Sequence, residues 1–221
     1  MKPWIRTFLV VITASLMGAC STFQNTKSLD YTAYRASNPR SILVLPPVSR
    51  SIDVNAGLSI LSLTTFPLAE AGYYVLPVAW TYETFKLNGI TVAEDAQNIP
   101  TAKLYEIFGA DAALYITVTD YGSKYKVINS VTHVAANAKL VDLRSGALLW
   151  SGSAEASSDE QDNNNQSGIL FALANALIKQ VVSKTTDRSH QIANIATLRL
   201  LHTGTPNGLL YGPYNPSHNA Q

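Results

Sequence analysis

The sequence predicts an α+β domain with a mixed sheet of about five strands flanked by helices. A continuous apolar run from Ser41 to Leu45 is typical of a strand buried on both faces. From Ala112 to Ser157, alternating apolar and polar residues separated by turn signals indicate a three-stranded antiparallel meander. Apolar residues at helical spacing lie before and after the meander, which places helices around the sheet.

The N-terminus has the three parts of a secretory signal. Lys2 and Arg6 supply the positive charge, Phe8 to Leu16 form an apolar stretch, and small residues precede Cys20. This pattern predicts a lipoprotein signal over residues 1–19, cleavage between Ala19 and Cys20, and a lipid on Cys20. The alternative is an ordinary secretory signal with an incidental cysteine. The apolar stretch is too short to span a bilayer of about 30 Å.

Composition divides the rest of the chain into three parts. Residues 20–38 are rich in Ser, Thr, Asn and Gln and predict a flexible, lipidated tether. Residues 39–203 form the single globular α+β domain, and residues 204–221, with several Gly and Pro, form an irregular C-terminal tail.

The first half of the domain alternates strands and helices. After the strand at Ser41–Leu45, a helical pattern opens at Asp53 and ends at Gly72, and Pro67 inside it indicates either a kink or two short helices. A short run with a proline, residues 73–78, predicts a strand at a sheet edge or a strand end. Two further short helices are expected at residues 81–87 and 101–108.

The three-stranded meander is predicted from the alternation of apolar and polar residues and from the turn residues between the arms. Its first arm is expected from Ala112 to Tyr121, with a turn at Gly122-Ser123. The second arm runs from Tyr125 to Val141, where apolar residues on both alternate sets indicate a bulge near His133. A turn is expected over residues 142–146. The third arm of the meander follows over residues 147–157. A polar loop at 159–166 and helices at 169–184 and 187–201 follow.

Charge and residue content exclude several classes of function. Loss of Lys2 and Arg6 with the signal leaves 14 basic against 15 acidic side chains, a net charge of −1 that does not favour nucleic acid. Cys20 is the single cysteine, so no disulfide framework or thiolate metal site is possible. The four histidines include no pair at i, i+4 spacing, and the acidic loop lacks the pattern of a calcium site. We therefore expect no metal and no cofactor.

No group of residues indicates catalysis. The chain has neither a phosphate-binding glycine loop nor a serine elbow. Asp111 and Asp142 could be imagined as an acid/base pair, but both fall at element ends, where carboxylates cap turns and helices.

The tyrosines of the meander are the candidate binding residues. Tyr115, Tyr121 and Tyr125 are expected on or beside its polar face, and tyrosine is enriched at protein interfaces. Two interpretations remain open. Either the rings bind a protein partner, or a helix covers that face and the rings pack beneath it.

The order of elements resembles the N-terminal domain of TolB and the periplasmic domains of CsgG-like and LpoB-like lipoproteins. The local phrases that agree are RSILVLPP, FGADAALYITV and KLVDLRSGALLWSG. Nearly the whole mature chain resembles the genome-derived Neisseria antigen lipoprotein family, through NPRSILVLPPVSRSIDVNAG, PLAEAGYYVLPVA and FGADAALYITVTDYGSKY. This resemblance implies a bacterial lipoprotein with a TolB-like domain, and it implies no catalytic residue.

Together these observations predict a lipid-anchored accessory that is not an enzyme. We expect it at the outer membrane, facing the periplasm, because Ser21 after the cysteine resembles outer-membrane sorting. It would contact the membrane through its lipid and bind another envelope protein or a second copy of itself, helping secretion, transport or cell-wall synthesis. The alternative is a binding protein for a small envelope ligand held in a cleft between the sheet and the C-terminal helices.

Overall fold

The computed structural model describes residues 29–125, 130–160 and 188–220. Within these ranges six strands form one mixed sheet flanked by helices, which confirms the α+β class. The sheet order is β3-β1-β4-β5-β6, with β2 beside β4. The strands are β1 Ser41–Val44, β2 Val48–Ser49, β3 Tyr74–Val75, β4 Ala112–Tyr125, β5 Ser130–Asp142 and β6 Leu148–Ser157.

Seven α-helices surround the sheet in the described ranges. They are α1 Thr32–Ser37, α2 Ala56–Leu63, α3 Thr65–Glu70, α4 Val78–Leu87, α5 Ala93–Gln97, α6 Thr101–Phe108 and α7 Arg188–Leu200. The expected helices at 81–87, 101–108 and 187–201 correspond to α4, α6 and α7, whereas α5 was not predicted. A short 3-10 helix, His218–Ala220, lies in the tail.

Strand β1 is buried on both faces, as its apolar run predicted. It pairs in parallel with β3 on one side and with β4 on the other. Ile42 and Val44 belong to the larger core, which α2, α3 and α7 complete. Leu43 and Leu45 belong to a second core beneath α4, α5 and α6. The sheet therefore separates two layers of helices around its parallel half.

The helical pattern around Pro67 forms two pieces, one of the two alternatives that the proline allowed. The break falls at Thr64, and Pro67 is the third residue of α3, where a helix needs no backbone donor. Asp53 does not cap α2. Its carboxylate accepts the N–H of Asn55 at 2.8 Å in the turn before the helix.

The predicted turn at Gly122-Ser123 is wrong. Strand β4 continues to Tyr125, and Gly122 pairs with His133 in the ladder. Gly122 has φ 122°, a conformation that glycine adopts without a steric cost, so it can stay within the strand. The β4–β5 turn falls in residues 126–129, which the structure does not describe.

The bulge of the β4–β5 pair lies in β4. Val118 pairs with Ala136 and Asp120 with Ala135, so Thr119 is the extra residue. The sequence placed a bulge on the partner strand, near His133. The extra residue reverses the side-chain alternation of β4 beyond it.

The Asp-to-Gly turn between β5 and β6 is confirmed. Gly146, with φ 72°, donates its N–H to Asp142 O at 2.9 Å. Asp142 Oδ1 accepts the N–H groups of Arg144 and Ser145. The predicted helix at 169–184 and most of the predicted loop at 159–166 lie outside the described residues.

The tether boundary at residue 38 needs correction, because residues 29–38 belong to the globular body. Helix α1 packs against β6, and Tyr34 on α1 is part of the larger core. The sequence pattern missed this helix because its six residues carry one deeply buried side chain, too few for an apolar periodicity.

The C-terminal tail is irregular, as expected, but it is docked on the body. Gly212 donates its N–H to Ala71 O at 2.7 Å, and Tyr214 donates to Gly72 O at 3.1 Å. A Cβ on Gly212 would lie 2.2 Å from Gly72 O, so this approach requires glycine.

The outer edge of β6 is capped by an ion pair. Glu160 Oε1 accepts the N–H of Ser157 at 2.8 Å, and Arg199 Nη1 donates to Glu155 O at 2.8 Å. Two hydrogen bonds, of 2.9 and 2.6 Å, join Arg199 to Glu160. The pair occupies backbone groups that an edge strand otherwise offers to another chain.

Candidate functional site

The lipid-attachment residue precedes the part of the chain that the structure describes. Ala19 and Cys20 are outside it, so cleavage and lipidation stay predictions. The described chain begins beside the C-terminal region, where Leu29 N–H donates to Asn207 Oδ1 at 2.7 Å and Tyr31 donates to Gly208 O at 2.6 Å. The nine steps of the chain from Cys20 to Leu29 span at most about 30 Å when fully extended.

Tyr115 is buried rather than presented to a partner. Its side chain is 7 % exposed and belongs to the core beneath α4, α5 and α6. Lys139, opposite it on β5, holds its Nζ 4.7 Å from the ring centroid, a cation–π contact that covers the ring. Burial raises the pKa of the Tyr115 phenol.

Tyr121 is buried on the other side of the sheet. It is 6 % exposed and packs in the larger core, beneath helix α2. Its hydroxyl donates to Ser59 Oγ at 2.9 Å, and Ser59 Oγ lies 2.7 Å from His190 Nδ1. These contacts tie β4, α2 and α7 together, so Tyr121 is a structural residue.

The expectation of one shared tyrosine face is therefore wrong. Tyr115 and Tyr121 are six residues apart and would share a face in a regular strand, but the extra residue Thr119 places them on opposite faces. For both, the interpretation in which the ring packs in the core is the one that the structure supports. The Tyr125 side chain is not among those described.

The surface of helices α2 and α3 carries no charged side chain before Glu70. No charged residue occurs between Asp53 and Glu70, a run of sixteen residues. The inner side of this helical pair buries Ile60, Leu61 and Leu68. Its outer side faces solvent, where a globular protein ordinarily places charged side chains.

Large apolar side chains are exposed on that outer side and in the turn that precedes α2. Ile52 is fully exposed, Val54 is 90 % exposed and Phe66 is 65 % exposed. Val54, Leu58, Ser62 and Phe66 recur every four residues. Because Thr64 between the helices keeps helical dihedrals, φ −76° and ψ −31°, Leu58, Ser62 and Phe66 follow one helical stripe, and Val54 lies in the turn before it. We call Val54, Leu58, Ser62 and Phe66 the uncharged face.

The sequence contained the signal for this face but did not separate it from the core. Leu58, Leu61 and Leu68 all fall in the helical pattern predicted from Asp53 to Gly72, yet Leu58 is half-exposed whereas Leu61 and Leu68 are buried. The charge-free run between Asp53 and Glu70 was the clearer signal, since an outward helical surface without charge is rare in a monomer.

The carboxylates considered for chemistry have structural contacts. Asp111 Oδ2 accepts the N–H of Arg40 at 2.9 Å and of Ser41 at 3.1 Å, and Oδ1 pairs with Arg144 at 2.7 Å. Asp142 holds the β5–β6 turn, as predicted. Both carboxylates therefore stabilise the end of the sheet where β1 and β4 begin and β5 ends.

A small polar group lies on the open face of the meander. His133 Nδ1 is 3.0 Å from Asp120 Oδ2, and its Nε2 is 3.6 Å from Glu155 Oε2. Among the residues that the structure describes, no three His, Cys, Asp or Glu side chains are grouped to hold a metal ion.

None of the described helices combines the length and apolarity needed to cross a membrane.

Comparison with known proteins gives a consistent family. The family model "Putative lipoprotein GNA1162-like" matches residues 29–214. "Putative lipoprotein NMB1124/NMB1162" of Neisseria meningitidis serogroup B is 47 % identical over 213 residues, covering 96 % of each chain.

One solved structure agrees with this assignment, and another is given only as a neighbour. The crystal structure of lipoprotein GNA1162 from Neisseria meningitidis is 51 % identical, with a TM-score of 0.54, and covers 66 % of this chain and 100 % of that one. The LpoB C-terminal domain from Escherichia coli is 16 % identical, with a TM-score of 0.38, over 53 % of this chain and 83 % of that one. The chain belongs to the family described as "Putative lipoprotein GNA1162-like".

Proposed function

We propose that this protein is a non-enzymatic module, anchored by a lipid on Cys20 to the periplasmic side of the outer membrane, that binds another envelope protein through its uncharged face. Family membership supports a lipid-anchored place in the cell envelope. The lipoprotein signal and Ser21 support the attachment residue and the membrane.

The uncharged face is the observation that carries the binding role. Each Å² of exposed apolar surface destabilises the unbound protein by roughly 25 cal/mol, and burying that surface against a partner would remove this cost. Isolated apolar residues on a surface are ordinary, but here Val54, Leu58 and Phe66 are all exposed within sixteen consecutive residues that carry no charge.

The lack of charge on this face also indicates what kind of surface the partner presents. A charged surface would lose its hydration against the uncharged face and find no ion pair in return. We therefore expect an apolar, uncharged surface on another envelope protein, brought within reach by the short link between Cys20 and Leu29. A second copy of this chain is the competing occupant.

The contacts of the polar groups favour binding over catalysis. Ser59 Oγ, the one serine oxygen placed against a histidine ring in the described contacts, also accepts the Tyr121 hydroxyl. Tyr121 is buried, so this chain of hydrogen bonds links a helix to the sheet inside the body. Such a connection serves the stability of the fold.

Crosslinking in intact cells tests the proposal. The double variant Leu58→Glu/Phe66→Glu places charge on the uncharged face, and both sites lie near helix N-termini, where Glu is tolerated. We expect the crosslinked partner to disappear from the mass-spectrometric profile, while the free energy of unfolding changes by no more than about 0.5 kcal/mol per site.

The matched control is Leu87→Lys. Leu87 is an apolar residue at the C-terminus of α4, outside the uncharged face and more exposed than Leu58 or Phe66, where a cation suits the helix end. The control should keep the partner. Loss of the partner in both variants, or its retention in both, would contradict the proposed face. A crosslinked product made of two copies of this chain would contradict the proposal that the partner is a different protein.

A further inference from the structure

The turn that joins β2 to α2 displays two apolar side chains in solvent. We call residues 50–55 the Ile52 turn. Ile52 is fully exposed and Val54 is 90 % exposed, so the body covers almost nothing of either side chain. The turn lies at the end of the sheet where β2 stops, and it precedes the helical stripe of the uncharged face.

Hydrogen bonds fasten the Ile52 turn to strand β4. The Arg50 N–H donates to Val118 O at 2.9 Å, and the Ser51 hydroxyl donates to Tyr121 O at 2.9 Å. Ser51 Oγ also accepts the N–H of Asp53 at 3.1 Å. The turn is therefore ordered although its apolar side chains are in solvent, and ordered groups lose less conformational entropy when they bind.

The backbone of the turn suits an apolar environment. An N–H group without an acceptor is costly at a lipid surface, because the acyl region holds no water to replace the missing bond. Here the Asn55 N–H donates to Asp53 Oδ1 at 2.8 Å and the Ala56 N–H to Asp53 O at 3.2 Å. The same contacts hold Asp53, the one acidic residue of the turn, against the start of α2.

The shape of the turn favours a lipid surface over a flat protein face. A side chain that is exposed on every side is buried only by a phase that closes around it, and the boundary between headgroups and acyl chains does so without a preformed pocket. Arg50 is exposed at the start of the turn and forms no ion pair with another residue that the structure describes. A cation beside apolar residues favours anionic headgroups.

The predicted tether is long enough for such a contact. Leu29 bonds to Asn207, whose carbonyl accepts the Trp150 indole N–H, and Trp150 lies level with Leu114 of β4 across the sheet. The turn is fastened further along β4, at Tyr121, an offset of about 20 Å. The chain from the predicted lipid to Leu29 spans up to about 30 Å, so the lipid and the turn can reach one membrane surface.

We propose that the Ile52 turn enters the surface of the membrane that holds the Cys20 anchor. Ile52 and Val54 lie at the boundary between headgroups and acyl chains, and Arg50 meets lipid phosphates. This contact rests on the lipid anchor of the proposed function. It adds an orientation, because a domain attached at two points does not turn freely on its tether, and the tether keeps the turn at a high local concentration near lipid.

Fluorescence quenching tests the contact in full-length lipidated protein on vesicles of phosphatidylethanolamine and phosphatidylglycerol. Ile52→Cys supplies a thiol for a polarity-sensitive dye, because the single cysteine of the chain, Cys20, is expected to be acylated. We expect blue-shifted emission and quenching by a lipid spin-labelled in its upper acyl chain. The matched control is Leu87→Cys, at an exposed apolar residue at the far end of α4, whose dye should stay unquenched.

A second change separates the turn from the dye. Val54→Asp, added to labelled Ile52→Cys, should at least halve the quenching, because a charge replaces an apolar group that lipid would bury. Both positions are exposed, so the variants should fold, and equal thermal midpoints check this. Unchanged quenching after Val54→Asp would show that the dye alone enters the lipid, and this result would overturn the proposal.

The remaining outcomes distinguish this contact from the proposed function. A dye at position 52 that stays unquenched on vesicle-bound protein, or that is quenched no more than the dye at position 87, would overturn the contact and leave the anchor standing. An unquenched dye together with loss of the crosslinked partner from cells that carry Ile52→Asp would assign the turn to a pocket on a protein. Protein that does not float with the vesicles would contradict the Cys20 anchor and this contact with it.

Discussion

The hydroxyl of Tyr121 on strand β4 donates a hydrogen bond to Ser59 Oγ on helix α2 across 2.9 Å. This contact joins the long meander to the helix that carries the uncharged face. Tyr121, which the sequence predicted to bind a partner, is therefore packed beneath the helix that carries the candidate docking surface.

Replacing Tyr121 should cost stability in two separable steps. Tyr121→Phe removes the hydrogen bond and should lower the free energy of unfolding by about 1 kcal/mol. Tyr121→Ser also removes the buried ring and should cost about 3 to 5 kcal/mol. Urea unfolding measures both. Tyr214→Ser, at an exposed tyrosine, is the control and should stay within about 0.5 kcal/mol of wild type. A Tyr121→Ser protein as stable as that control would show that the ring is not part of the core.

The Asp142 carboxyl should make stability depend on acid pH. Burial by itself would raise its pKa, but hydrogen bonds from the Ser37 hydroxyl and from the Ser145 and Arg144 turn groups outweigh burial and lower the pKa below its ordinary 3.8. A lowered folded-state pKa contributes stability above the unfolded pKa, and this contribution is lost as pH falls through the folded value.

Urea unfolding of wild type and Asp142→Asn across pH checks this. At pH 7 the variant should be less stable, and the difference should narrow as the pH falls below about 4, because wild type then also loses the charge. A difference that stays constant from pH 7 to pH 3 would show that the charge of Asp142 contributes nothing.

Gly212→Ala should release the tail. The new methyl group would overlap Gly72 O, and we expect a loss of about 1 to 3 kcal/mol together with faster digestion of the C-terminus by carboxypeptidase. Gly89→Ala is the control. Gly89 has φ 80° with open space around it, so alanine costs about 1 kcal/mol of backbone strain but leaves the tail docked. Equal digestion of the two variants would mean that the glycine contact does not hold the tail.

Cys20→Ala should move the protein from the membrane fraction to the soluble fraction of the envelope, because the lipid has no other attachment residue in a chain with one cysteine. Fractionation followed by immunoblotting measures this. Ser21→Ala, at the next position, should stay in the membrane fraction. Membrane retention of Cys20→Ala would contradict anchoring through this residue.

Local patterns were sufficient for much of the fold. The buried strand at Ser41, the Asp142 turn and helix α7 each depend on neighbouring residues and formed as predicted. The contact between the start of the described chain and its C-terminal region could not be predicted, because Leu29 bonds to Asn207 and Tyr31 to Gly208 across more than 170 positions of the chain. The uncharged face was visible as a charge-free run, but its outward orientation depends on which helical side the sheet buries.

The sequence by itself predicted the class of the fold and a lipoprotein signal, and it contains no charge between Asp53 and Glu70. These follow from composition and short-range periodicity, which the chain carries without folding. The tertiary structure decided which residues are accessible. One extra residue at Thr119 reverses the faces of β4, buries Tyr121 under α2 opposite Tyr115, and leaves Leu58 and Phe66 in solvent, because burial depends on what packs against each face.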